Sequence, residues 1–216
     1  MNNLQRIYHR RFGENIESRN KIYQILCNDF FQNYIPTNAV ILDVGAGYCE
    51  FINNIHAKKK IALDKNPDIK KFAKKDVQFM ISSSTDMKQI KDGSIDVVFI
   101  SNFFEHLNKN EIIKTINEIY RVLQKNGNFL ILQPNIRYCY KDYWMFFDHI
   151  TPLDDRSLSE ILELNGFEII ECRPKFLPYT TKSKLPQSIF LLKIYLKFPL
   201  IQKIIGKQTF ICAKKI

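Results

Sequence analysis

One stretch, Ile41 to Phe51, "ILDVGAGYCEF", constrains this chain more than any other. An apolar, partly β-branched run ends at Val44, glycines follow at 45 and 47, and apolar character resumes at Phe51. That is the pattern of a strand, a tight turn and the start of a helix. Gly45 and Gly47 lack Cβ, so the backbone there can take positive φ and pass close to a ligand, while the helix that follows offers unpaired N–H groups. A core that opens this way implies strands that run parallel and are joined by helices.

The rest of the sequence keeps that rhythm. Strands are predicted at Val40–Val44, Lys60–Asp64, Val77–Ile81, Asp96–Ser101, Asn128–Gln133, Phe167–Glu171 and Gln208–Ala213, with amphipathic helices between them. The clearest helix is Glu111–Leu123, with Ile112, Ile116, Ile119 and Leu123 on one face, Asn110 as its cap and Gly127 beyond its end. Others fall at Asp155–Leu164, stopped by Gly166, and near Lys21–Tyr34. The expected fold class is α/β, a Rossmann-like doubly wound, mostly parallel seven-stranded sheet with helices on both faces and a helical insertion before the last strand. A chain of 216 residues suits one such domain, with residues 1–36 as an N-terminal helical extension and 173–207 as a basic, apolar insertion.

A dinucleotide-binding turn would carry a third glycine where this chain has Cys49, and Glu50 would set a carboxylate where a pyrophosphate should sit. Four segments in order, "ILDVGAG", "IALDKNP", "DGSIDVVFISNFFEHL" and "YRVLQKNGNFLILQPN", resemble instead the class I S-adenosylmethionine-dependent methyltransferases, over about residues 38–172. Their cofactor has an adenosine but no phosphate, which removes the conflict with Glu50. The resemblance implies that Asp43, Gly45 and Gly47 hold the methionine part and that Asp64, with Lys65 beside it, meets the ribose hydroxyls. Ser101 and Asn102 would line the cofactor floor. The acid that the family usually sets near the adenine is missing from "ISSSTDM", and its place falls to Ser83 with Thr85 nearby. Glu105 and His106 in "FFEHL" also read simply as a helix start that holds a loop.

Methyl transfer is a displacement on a sulfonium carbon, so the protein must align the acceptor, exclude water and, for a hydroxyl acceptor, accept a proton. Residues suited to this crowd into "QPNIRYCYKDYWMFFDHITPL", just past the fifth strand. His149, helped by Asp148, is the first choice of base because an imidazole titrates near working pH, and His106 is the second. Arg137, Tyr138, Tyr140, Tyr143 and Trp144 are expected to bind substrate. The competing reading makes Trp144, Phe146 and Phe147 core and Asp148 a turn cap. Near the start, Tyr8, Arg10, Arg11 and Phe12 suit a segment folded over the cofactor or a solvated terminus.

Charge separates the chain into two parts. Of 32 Lys and Arg against 22 Asp and Glu, ten cations lie between Arg173 and the C-terminus with no acid among them, so the first 172 residues are neutral. The apolar residues of "LPQSIFLLKIYLKFPLIQKIIGKQ", broken at Pro199, suit a lid, a helical pair packed on the domain or a partner, or a peripheral contact of 184–207 with an anionic membrane. No nucleic-acid-binding motif occurs, and none is expected as partner. Five scattered cysteines form no C-x-x-C pair, and four histidines have no metal-binding spacing, so no metal is expected: a site would have to assemble from distant segments. With no apolar leader-like run, the expected location is cytoplasmic, peripheral on the inner face of the membrane if 184–207 binds there.

These readings converge on a methyltransferase using S-adenosylmethionine and acting on a small molecule, a sugar or a lipid-linked glycan. Two competitors remain: a NAD-binding oxidoreductase, opposed by Cys49 and Glu50, and a non-catalytic membrane- or partner-binding protein that keeps the fold, which would leave Asp148 and His149 outside the pocket.

Overall fold

The computed structural model describes residues 3–12, 16–179 and 189–216. In chain order the elements are α1 (Asn3–Phe12), α2 (Ile16–Asp29), β1 (Val40–Val44), β2 (Lys59–Asp64), α3 (Ile69–Phe72), β3 (Val77–Ile81), β4 (Ile95–Ser101), α4 (Lys109–Val122), β5 (Leu123–Pro134), α5 (Ile136–Tyr143), α6 (Asp155–Leu164), β6 (Phe167–Leu177), α7 (Ile189–Lys197), α8 (Pro199–Ile205) and β7 (Gln208–Lys215). The strands form one sheet in the order β3-β2-β1-β4-β5-β7-β6, parallel except for β7, which runs antiparallel to both β5 and β6.

Both faces are covered, which is why the central strands read as nearly continuous apolar runs. Ile41, Val97, Phe99 and Leu130 point into a core shared with Leu26, Phe30 and Phe31 of the α2 region. Leu42, Val98, Ile100 and Ile131 point the other way, against Ile112, Ile116 and Ile119 of α4 and Leu158 and Leu162 of α6. Asp43 faces the first side, and in a buried strand it is the one ionisable group.

Differences from the sequence expectation lie at element ends and have local causes. The cap of α4 is Asn108, not Asn110: its side chain accepts from the Glu111 N–H while Glu111 reaches back to the Asn108 N–H, a reciprocal cap that wins over the later asparagine. β5 starts at Leu123, which pairs with Ile95 of β4, and β6 runs on to Leu177, which pairs with Gln208 of β7. The insertion is two helices. Pro199 begins the second rather than kinking one, since at the first helical position its missing N–H has no bond to lose. α7 packs on α2 and α8 on β6, with Leu192, Leu196, Ile201 and Ile205 half-buried against the core. No described helix is long and apolar enough to cross a membrane.

Candidate functional site

β1, β2 and β4 end side by side at one edge of the sheet, and the loops there gather the residues that the sequence singled out. Gly45 (φ 73°) and Gly47 (φ 54°) both take the left-handed conformation. So does Cys49 (φ 62°), fully buried at the place of a third glycine. The backbone course of a glycine turn is therefore kept with a side chain that strains it by about 1 kcal/mol. The turn is tied down by Gly45 and Ala46 N–H, which donate to the Leu63 carbonyl (2.8 and 3.1 Å), and by Gly47 N–H, which donates to Asp64 Oδ2 (2.8 Å).

Asp64 is buried at the end of β2, and its Oδ1 accepts from Asn66 N–H (2.7 Å). Burial raises its carboxyl above the ordinary carboxylate range, and these N–H groups act against that rise. Asn66 is itself buried, and its Nδ2 has no hydrogen-bond partner among the described residues. Asp43 is raised well above the usual range, first by burial, then by Asp64 and Glu50. Three buried carboxylates thus sit within electrostatic reach of one another, with Arg19 Nε on Glu50 Oε1 at 2.7 Å.

That charge pattern selects a ligand. A pyrophosphate would add negative charge to a concentration of acids, whereas S-adenosylmethionine brings a sulfonium and an ammonium against one carboxylate. Asp64 with the unpaired Asn66 amide supplies an acceptor and a donor where ribose hydroxyls would lie. The residues present fit that cofactor.

α2, outside the motif-bearing segments, closes the site from above. Arg19 pairs with Glu50, Asn20 Oδ1 accepts from Asn54 Nδ2 (2.7 Å), and the Tyr23 hydroxyl meets Ser101 Oγ (3.1 Å). Burial pushes Tyr23 up to about 12, so the hydroxyl stays protonated. These contacts escaped the sequence reading because a polar residue on an amphipathic helix has no local pattern that reports its long-range partner. Arg10 is exposed, and the side chains of Tyr8, Arg11 and Phe12 lie outside the described residues. Asn102 holds φ 46°, a conformation asparagine tolerates, and donates through its backbone N–H to the Leu132 carbonyl (2.8 Å). Ser83 and Thr85 share a hydroxyl contact of 2.8 Å, both half-buried, and Lys65 points to solvent.

A second cluster stands past the end of β4. Glu105, almost fully buried, accepts through Oε2 from Gln133 Nε2 (2.8 Å), and burial raises its carboxyl, offset mainly by His106. The Glu105 carbonyl accepts from Ile150 N–H (2.7 Å) and Thr151 N–H (3.2 Å), Thr151 Oγ1 donates to the Leu107 carbonyl (2.6 Å), and Tyr143 donates to the Thr151 carbonyl (2.6 Å). Two segments more than forty residues apart are stapled together by these bonds. His106 Nδ1 comes to 3.3 Å from Asp148 Oδ2 and Nε2 to 3.9 Å from Glu105 Oε1, and His149 lies with its ring centroid 5.0 Å from that of His106.

Asp148, His149 and His106 therefore come together, but not as the sequence ranks them. His149 is buried, wedged between Tyr143 (4.7 Å) and Phe146 (5.1 Å), and His106 is the more open of the two. The predicted substrate residues divide. Tyr143 is fully buried and structural. Arg137 is engaged with Asp155 (2.9 Å), and Tyr138 takes Arg137 and Lys175 over its ring. Tyr140 and Trp144 are exposed, as is Phe147, so Trp144 and Phe147 are not core.

Residues 42–131 match the family model described as a methyltransferase domain. Solved structures with the same fold include S-adenosylmethionine-dependent methyltransferases from Archaeoglobus fulgidus (22% identity, 91% of this chain and 94% of that one, TM-score 0.68), Thermotoga maritima (15%, 97% and 98%, 0.70) and Methanosarcina mazei (16%, 86% and 96%, 0.62). No curated protein matches. Residues 42–131 are thus similar to a methyltransferase domain, and the whole sheet has the fold of these S-adenosylmethionine-dependent enzymes.

Proposed function

We propose that this chain is a class I S-adenosylmethionine-dependent methyltransferase that acts on a hydroxyl of a sugar or lipid-linked glycan at an anionic membrane surface. Asp43, Gly45, Gly47 and Asp64 hold the cofactor, with Ser101 and Asn102 beneath it and Ser83 and Thr85 toward the adenine. The acceptor enters beside His106 and Asp148, where the Asp148 carboxylate can take the hydroxyl's proton as its oxygen attacks the methyl carbon and the sulfonium takes the S–C electron pair. Tyr140 and Trp144 flank that entrance.

The observation that carries the membrane part is the outer face of α7 and α8. Phe190, Leu191, Phe198, Leu200 and Ile204 are exposed there, interleaved with Lys193, Lys197 and Lys203. A second exposed set, Trp144, Met145, Phe147 and Ile150, adjoins it: Lys207 Nζ reaches Asp142 Oδ2 (2.9 Å), and the Phe146 and Tyr179 rings lie 6.3 Å apart. Apolar side chains among lysines at one end of a molecule suit the boundary between headgroups and acyl chains. Sedimentation with phosphatidylglycerol-containing vesicles tests this. Each lysine near an anionic surface contributes about 1 kcal/mol, so changing Lys193, Lys197 and Lys203 to glutamate is expected to weaken vesicle binding by about a hundredfold or more. Equal binding to pure phosphatidylcholine vesicles, or no binding to either, would remove the membrane from the proposal and leave a soluble glycan or small molecule.

A further inference from the structure

The geometry points to a divalent-cation site made by Glu105, His106 and His149, beside the methyl-transfer centre, that takes a first-row transition metal such as Zn2+ or Mn2+. One carboxylate oxygen and one ring nitrogen from each histidine lie within 4.8 Å of one another. Metal bonds to histidine nitrogen and carboxylate oxygen are about 2.0–2.2 Å, so two ligands of one tetrahedral ion lie about 3.3–3.6 Å apart. The widest pair must therefore close by on the order of an ångström, a side-chain adjustment open to His106, which is partly exposed on a short 310 turn.

The surroundings are arranged as a ligand set needs. Asp148 Oδ2 stands 3.3 Å from His106 Nδ1, and the Asp148 carbonyl at 3.2 Å from the same atom. Two acceptors on one nitrogen keep the proton on Nδ1 and turn the Nε2 lone pair toward Glu105, which is the carboxylate–histidine arrangement found behind metal-bound imidazoles. A lone pair facing a buried carboxylate at 3.9 Å is repulsive unless a positive charge lies between or on them. Glu105 is held by Gln133 on its other oxygen, which fixes the carboxylate without neutralising it. The Glu105 backbone in turn anchors the loop that carries His149, so all three donors are positioned by one network.

Two histidines and one carboxylate suit first-row transition metals and leave coordination positions open for oxygen donors. This inference rests on the proposed acceptor reading only for the cation's use: adjacent hydroxyls of a sugar are the ligands that open positions would take. The sequence reading expected no metal, for lack of a local spacing. Here the ligands come from two distant segments, brought together by the backbone bonds between Glu105 and Ile150–Thr151 and by the Thr151 hydroxyl on the Leu107 carbonyl.

The test is calorimetric titration of the chelator-stripped full chain with Zn2+ and with Mn2+, with no cofactor present. One equivalent should bind at micromolar strength or tighter. Asp148→Asn, which loosens the ring's orientation, should weaken binding by about ten- to a hundredfold, and Glu105→Gln and His106→Ala by more. Circular dichroism of each variant guards against loss of fold, and His106→Ala, at the most exposed ligand, is the variant least at risk. Substitution with Co2+ adds a signature: nitrogen and oxygen ligands give weak visible bands, whereas uptake by a cysteine such as the exposed Cys172 gives intense thiolate charge transfer. No uptake by the native chain, undiminished uptake by folded Glu105→Gln, or a thiolate spectrum would each overturn the site and leave a Glu105–His106 ion pair. A separate titration of the native chain with S-adenosylhomocysteine keeps failure of the metal distinct from failure of the cofactor site.

Discussion

Asp64→Ala is expected to weaken S-adenosylhomocysteine binding by at least about a hundredfold in calorimetry. Hydrogen bonds to a charged acceptor contribute about 1.5–3 kcal/mol each, and two ribose hydroxyls on one carboxylate therefore reach that factor at the low end. The substitution also removes the acceptor of two backbone N–H groups, Gly47 and Asn66, which set the glycine turn against the end of β2. Two buried donors left without partners cost roughly 1–3 kcal/mol apiece, so the ligand-free variant should melt lower as well. Asp64→Asn separates the two effects: its amide oxygen can keep one N–H partner, so stability should recover more than affinity. Undiminished S-adenosylhomocysteine affinity in a folded Asp64→Ala protein would show that the ribose lies elsewhere.

Asp43→Asn is expected to do the opposite to stability while also harming binding. Asp43 is buried in β1 and raised by burial and by its acidic neighbours Asp64 and Glu50, so folding disfavours its charged form. The sign follows from proton counting. Between the ordinary carboxylate value and the raised folded one, the native state holds more protons than the unfolded state, so stability falls as pH rises and the penalty is complete above that window. Asparagine abolishes it and can still accept the Ile52 N–H bond that Asp43 takes. At pH 7 the ligand-free variant should be more stable by about 1–3 kcal/mol, a rise in melting temperature of roughly 2–10 °C, and its profile should be flatter through the acid range. Cofactor affinity should fall about tenfold or more, because the acid complements the cofactor's positive charge. Thermal melts across pH, with and without S-adenosylhomocysteine, measure both; a variant that melts lower at pH 7 would contradict the electrostatic account. The strain at Cys49 and the repulsion at Asp43 lie within one strand-and-turn segment, which is where a proposed ligand site would trade stability for binding.

The strands were legible because each central strand is buried on both faces and so is almost wholly apolar, as Ile41–Val44 is apart from Asp43 and as Val97–Ile100 is throughout. The glycine turn and Asp64 were legible because a backbone conformation and a strand end leave local marks. Long-range pairings were not. Arg19 with Glu50, Tyr23 with Ser101, and Glu105 with His149 depend on how separate segments dock, and no spacing within a segment encodes that. Burial within the aromatic loop was not legible for a related reason: Tyr143 and Trp144 are adjacent in sequence, yet the first is fully buried and the second more than half exposed, since successive side chains at the end of a short helix point different ways.

The antiparallel β7 sets an order of events. β6 touches only β7 in the sheet, and roughly thirty residues separate the end of one from the start of the other. During synthesis β1 to β4 can align with sequence neighbours, while β6 waits as an open edge until the last strand arrives to bridge it to β5. The half that carries the glycine turn thus matures before the half that carries β6 and β7. Slow closure of that gap, rather than assembly of the glycine turn, is where this chain is most exposed to pairing with another copy of itself.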